Sequence, residues 1–268
     1  MIKNPSKTPA YPLDPLVEVM LRLRAPDGCP WDKIQTNESL RRYLVEETYE
    51  VLEAIDEQEW CKVKEELGDV LLQVVFHAAI AAENDLFDIN DVVETVTTKL
   101  IRRHPHIFGD GTAEDADAVM ISWEKIKEQE RKAMGQEYES VLDGVPKDLP
   151  ALTQAEKIQE KAARVGFEWE HVSGALTKVQ EELDEFQKAY QDDNHSNMVA
   201  EMGDVFFALV NVARYLEIDP EMSLREATHK FIRRFHFVEE SAEGLGRDLT
   251  SMDLEEMDQL WDKAKLME

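Results

Sequence analysis

Apolar residues recur at helical spacing along most of the chain. Positions three and four apart share one face, the signature of amphipathic helices. The pattern predicts helices over 40–56, 63–84, 89–103 and 118–134 in the first half. In the second half it predicts 152–165, 173–190, 198–216, 223–243 and 254–267. Asn37 or Thr36 is placed to cap the first helix, and Asp117 the fourth. No alternating stretch bounded by turn residues suggests a strand. The expected fold class is therefore all-α.

The same pattern occurs twice. The blocks 44–54 and 179–189, and 63–72 and 198–207, align at one offset of 135 residues. Lys99-Leu-Ile-Arg-Arg103 matches Lys230-Phe-Ile-Arg-Arg234 at 131. Trp123-Glu-Lys-Ile-Lys127 matches Trp261-Asp-Lys-Ala-Lys265 at 138, as Trp31-Asp32 matches Trp169-Glu170. Five blocks in one order, with small drifts in offset, indicate a duplicated unit with loops of different length. A solenoid needs about three repeats, so two tandem helical-bundle domains are expected, at 12–143 and 151–268. Gly144-Val-Pro-Lys-Asp-Leu-Pro150 reads as the linker.

Composition narrows the partners. The chain is 43% apolar, enough for a sizeable core, and carries 57 acidic against 30 basic residues, a formal charge of −27. Such a surface repels phosphate backbones and anionic lipid, so neither nucleic acid nor a membrane is an expected general partner. A small phosphorylated ligand stays open where metal ions or local Lys and Arg reverse the sign. Two cysteines, Cys29 and Cys61, are too few for a disulfide framework or a Cys-rich zinc site. The run 70–82 is too short to span a bilayer, and Met1–Leu13 has no apolar core of a secretory signal. A cytoplasmic protein is expected.

Two acidic groups survive the comparison of the halves. Glu46-Glu47-x-x-Glu50 matches Glu181-Glu182-x-x-Glu185, and Glu66-x-x-Asp69 matches Glu201-x-x-Asp204. Each spacing sets its carboxylates on one helix face. The 16 residues from Glu50 to Glu66, and from Glu185 to Glu201, let one helix end, turn and return antiparallel. Four carboxylates can then converge.

A solvated acidic face is the ordinary reading of one such cluster in so acidic a chain. Two observations count against it. Glu66 and Asp69 open a helix apolar nearly all round, which predicts burial, and a buried carboxylate needs a charge partner. The repeat also discriminates: Glu65 aligns with Ala200 while Glu66 and Asp69 keep their chemistry. Gly68 and Gly203 match too, which predicts close approach by another helix or a ligand. Oxygen-only ligands favour Mg²⁺ or Mn²⁺. A di-iron bundle would want Glu-x-x-His, and His77 aligns with Val212, so His77 is read as core packing. Lys230, Arg233 and Arg234 suit either an anion-facing role or a surface cation stripe. Trp261 and Trp123 suit core packing better than stacking on a base. Neither nucleotide-binding glycine fingerprint is present.

In these motifs the sequence resembles the MazG family of nucleoside triphosphate pyrophosphohydrolases. The stretches Gly28-Cys-Pro-Trp-Asp-Lys-Ile-Gln-Thr36, Arg102-Arg-His-Pro-His-Ile-Phe-Gly109, Val145-Pro-Lys-Asp-Leu-Pro-Ala-Leu152 and Ala162-Ala-Arg-Val-Gly-Phe-Glu-Trp169 carry the likeness along the whole chain. The carboxylate motif alone is shared with dimeric dUTPases. The resemblance implies Mg²⁺ on Glu182, Glu185, Glu201 and Asp204, which would be the catalytic carboxylates. It implies substrate contacts from Lys178, Glu181, Lys230, Arg233, Arg234 and Trp261, and hydrolysis of a nucleoside triphosphate to monophosphate and pyrophosphate. It assigns catalysis to the second domain and dimer assembly to the first. Glu47, Glu50, Glu66 and Asp69 would make a second metal site, where Tyr43 replaces Lys178. A homodimer is expected, because pairing domains between chains would bury the apolar faces of the metal helices. Two other readings stay open: a non-catalytic dimerisation or regulatory module holding structural divalent ions, and a pyrophosphatase narrowed to dUTP or aberrant nucleotides.

Overall fold

The computed structural model describes residues 13–133, 135 and 139–267, without the side chains of Asp117 and Glu124. The described residues are helical with no strand, as the periodicity predicts. They fall into two compact units, one ending at Gly135 and the other beginning after it; Gly144–Pro150 lies with the second.

The first unit holds α1 (Asp14–Arg24), α2 (Pro30–Ile34), α3 (Asn37–Asp56), α4 (Trp60–Glu83), α5 (Ile89–Arg103), α6 (Pro105–Phe108) and α7 (Ala116–Ala133). The second holds α8 (Ala151–Arg164), α9 (Val172–Gln191), α10 (His195–Tyr215), α11 (Pro220–Gly244) and α12 (Leu254–Leu266). Three helices, α1, α2 and α6, go beyond the sequence pattern. The α3 cap is Thr36, in a reciprocal capping box with Ser39. At α7 the cap is Asp115, whose Oδ1 accepts from the Ala118 N–H at 2.8 Å, and not Asp117. The helix therefore starts earlier than expected. The reading of Met1–Leu13 falls, but for Leu13, outside the described residues.

Each unit is organised by an antiparallel hairpin, α3–α4 or α9–α10. The connections are tight because one residue turns left-handed: Gln58 at φ 57° and Asp193 at φ 49°. The Glu59 N–H then reaches the Ala54 carbonyl at 3.0 Å, and the Asn194 N–H the Ala189 carbonyl at 3.1 Å. These bonds close each helix end as a Schellman turn does. Ala54 and Ala189 are buried there, so the two hairpins repeat in detail.

The core of the first unit is Met20, Leu40, Val75, Phe76, Ala79 and Ile80. Arg24 locks α1 onto it. Its guanidinium donates to both Glu83 carboxylate oxygens at 2.6 Å and lies 5.4 Å from the Phe76 ring centre. The apolar helix 63–84 was expected to be buried nearly all round. Within one chain only one side is covered: Leu67, Leu71 and Val74 stay exposed. The reason is that α1 and α3 reach only part of its circumference. In the second unit Val199, Met202, Phe206 and Leu209 form a similar exposed stripe on α10.

At the far end of the first unit, Glu130 ties α7 to α5. Arg102 Nε lies 2.6 Å from its Oε1 and Arg103 Nη2 lies 2.7 Å from its Oε2. These bonds hold the Glu130 carboxyl down to about 2. In the unfolded chain it titrates near 4.5, so the folded state binds this proton more weakly. The stabilisation is complete above pH 4.5 and is lost as pH falls towards 2. In Glu130→Gln this acid-sensitive part should be missing. Urea titrations of both proteins from pH 6 to 2 check it: parallel pH curves would contradict the assignment.

Candidate metal centre

The hairpin turns bring the acidic rungs face to face. In the second unit, ligand oxygens of Glu182, Glu201 and Asp204 lie within 4.8 Å of one another. Glu182 comes from α9, and Glu201 and Asp204 from α10. Glu185, one turn beyond Glu182, bonds to Glu201. Partial burial pushes the Glu201 carboxyl up, and the charges of Glu185, Asp204 and Glu182 add to this. Three of the four expected carboxylates thus share one grouping, and Glu185 reaches it through Glu201. Crowded carboxylates repel one another, and a divalent cation among them would relieve that repulsion. Glu182 is the buried member, 6% exposed.

The first unit repeats the arrangement with Glu47, Glu66 and Asp69 within 4.8 Å, and Glu50 bonded to Glu66. Burial raises the Glu47 carboxyl, and the Asp69, Glu50 and Glu66 charges raise it further. A hydrogen bond from Gln73 opposes them.

The two centres differ at the residue that serves Glu182 or its counterpart Glu47, which is only partly buried. In the second unit it is Lys178, whose Nζ lies 2.6 Å from Glu182 Oε1 and 2.7 Å from Glu181 Oε1. Both carboxylates hold this ammonium well above its ordinary range. Tyr43, at the matching position, packs against the core and sits edge-on to Trp31 at 5.9 Å. The first unit instead offers the neutral amide of Gln73, 6% exposed. Sequence reasoning passed over Gln73, although a lone amide inside an apolar helix was a signal. The repeat masked it, since Ala208 stands at the matching place.

Gly68 and Gly203 were expected at a close approach by another helix or a ligand. Within the described chain a Cβ at either would meet nothing within 4 Å. No neighbouring helix of the same chain requires glycine there. His77 is partly buried, with Nδ1 2.8 Å from Asn37 Oδ1 and its pKa lowered by burial. It stands apart from the carboxylate grouping, as expected for a packed histidine.

The remaining candidates lie on α11 and α12. Trp261 packs against Phe231 at 4.9 Å between ring centres, with the Arg234 guanidinium 5.8 Å from its ring. This anchors α12 on α11. Among the described residues neither Lys230 nor Arg233 is tied to a carboxylate, in contrast to Arg102 and Arg103. The helix α11 packs on α12, α8 and α10. Both cysteines are free thiols. No described helix is long and apolar enough to cross a membrane.

Comparison with known proteins finds the same duplication. The MazG nucleotide pyrophosphohydrolase domain matches twice, at residues 35–108 and 172–238. Each match contains one complete set of carboxylates. The nucleoside triphosphate pyrophosphohydrolase/pyrophosphatase MazG of Thermotoga maritima is 47% identical over 250 residues, 93% of this chain and 94% of that protein. The nucleoside triphosphate pyrophosphohydrolase of Escherichia coli K12 is 44% identical over 259 residues, 96% of this chain and 98% of that one. The Bacillus subtilis protein YabN, of uncharacterised function, is 49% identical over 248 residues, 92% of this chain but half of its own length. With the domain matched in both halves, and these identities over nearly the full length, the chain belongs to the MazG nucleotide pyrophosphohydrolase family.

Proposed function

We propose that this protein is an enzyme hydrolysing nucleoside or deoxynucleoside triphosphates to the monophosphate and pyrophosphate, with one water consumed. The observation that carries this reading is the meeting of Glu182, Glu201 and Asp204 across α9 and α10, with Glu185 bonded to Glu201. The printed names of the Thermotoga and Escherichia relatives support the activity. An all-carboxylate donor set suits a hard cation, so Mg²⁺ is the assigned cofactor and Mn²⁺ a substitute.

Bound there, the metal supplies Lewis acidity and neutralises polyphosphate charge. The chain's own residues do the rest. A carboxylate of the cluster takes the proton of the attacking water. Lys178 is held at the rim by Glu181 and Glu182, ready to exchange one carboxylate for a phosphate oxygen. Lys230, Arg233 and Arg234 stabilise charge on the transferring phosphoryl group, and Trp261 flanks the base. The first unit, with Tyr43 in place of Lys178, serves assembly and has a weaker metal site at Glu47, Glu50, Glu66 and Asp69. The exposed apolar stripes of α4 and α10 support a homodimer that buries them. We assign the protein to the cytoplasm.

The test is product analysis with a panel of triphosphates, Mg²⁺ and H₂¹⁸O. Monophosphate plus pyrophosphate, lost on chelation and restored by Mg²⁺, is the expected result. Unchanged triphosphate would point to the non-catalytic module, and diphosphate plus phosphate to a different reaction. Hydrolysis of dUTP alone would narrow the substrate.

A further inference from the structure

The first unit contains a groove of about 450 Å³ lined by Thr95, Thr98, Lys99, Arg102, Arg103 and Glu130, with Asp91 and Glu94 at its other end. Its basic residues are the repeat counterparts of Lys230, Arg233 and Arg234. Two hydroxyls, one ammonium and two guanidinium groups on one helix make a set of donors suited to phosphate oxygens. The Glu130 carboxylate, 10% exposed, sits against its basic end, accepting from Arg102 on one oxygen and from Arg103 on both. A carboxylate bound by arginines in this way presents the same pair of oxygens as a phosphate.

We propose that the first unit carries a polyphosphate-binding site at Thr95, Thr98, Lys99, Arg102 and Arg103, occupied by its own Glu130. This rests on the reading of the second unit as a triphosphate site. Glu130 is supplied by α7, so it competes at a high effective concentration, and an external anion binds only in the fraction of molecules where it has let go. Glu268, set against Glu130 by the offset of 138, lies outside the described residues, so the proposal concerns the first unit alone.

The test uses the full chain with Asp204→Asn, titrated with inorganic tripolyphosphate and Mg²⁺ in a calorimeter, with and without Glu130→Gln. Glu130→Gln is expected to tighten binding about tenfold or more, and adding Arg103→Ala should abolish the gain. Unchanged affinity would mean that Glu130 is only a tie between α5 and α7. A gain that survives Arg103→Ala would place the anion elsewhere. Should Glu130→Gln loosen the fold, hydrogen exchange on the unaltered protein decides. Saturating tripolyphosphate is expected to speed exchange in α7 by displacing Glu130, and unaltered α7 exchange overturns the proposal. Product analysis on the unaltered enzyme judges the second site separately, so the two readings fail independently.

Discussion

Asp204→Asn is expected to lower the turnover number about 10²–10³-fold, while Glu50→Gln leaves most of the activity. The magnitude is that of removing one electrostatic element preorganised for the transition state. Asparagine matches aspartate in shape, and Asp204 is exposed, so the fold should persist and the loss be chemical. Glu182→Gln is expected to fall as far, though for two reasons. It removes a carboxylate from the group and releases Lys178 from one of its two anchors. The contrast with Glu50 tests the assignment of labour between the units, since Glu50 has the same place in the first hairpin as Glu185 in the second. Steady-state release of monophosphate, with circular dichroism as a folding control, reads the result. Equal losses from Asp204→Asn and Glu50→Gln would put working chemistry in both units.

The second large effect concerns assembly. The variant with Leu67→Asp and Leu71→Asp on α4 together with Phe206→Asp and Leu209→Asp on α10 is expected to turn a dimer into a monomer in light scattering. Phe206 is 54% exposed and Leu209 47% in the single chain. Together with Val199 and Met202 they follow the spacing of a helix seam. Placing two unpaired carboxylates in such a seam costs several kcal/mol on burial, while in a monomer they would sit in water at little cost. A native protein that scatters as a monomer would end the dimer reading.

The elements that the sequence revealed best are those with long periodic faces. The α3–α4 and α9–α10 hairpins were legible because each helix exceeds five turns and the pattern occurs twice. By contrast, α1 has 11 residues, α2 five and α6 four. Helices so short are marginal by themselves; α1 is held by burying Met20 and by the Arg24–Glu83 pair. These contacts cross 59 residues of sequence, and no local pattern announces them. The Glu130 bridge to Arg102 and Arg103 escaped for the same reason.

The sequence alone determined the helical class, the duplication and the spacing that puts Glu182 with Glu185, and Glu201 with Asp204, on common faces. These are consequences of periodicity, which is local and survives any arrangement of the helices. Tertiary structure decided how far the rungs converge, since that depends on the turn at Asp193 and the rotation of α9 against α10. It also decided that Lys178 binds Glu182 while Tyr43 packs inward, and that an apolar stripe of α4 and of α10 stays bare within one chain. Those outcomes depend on what lies across a helix interface, where neighbours are distant in sequence and packing selects among faces that look alike along the chain.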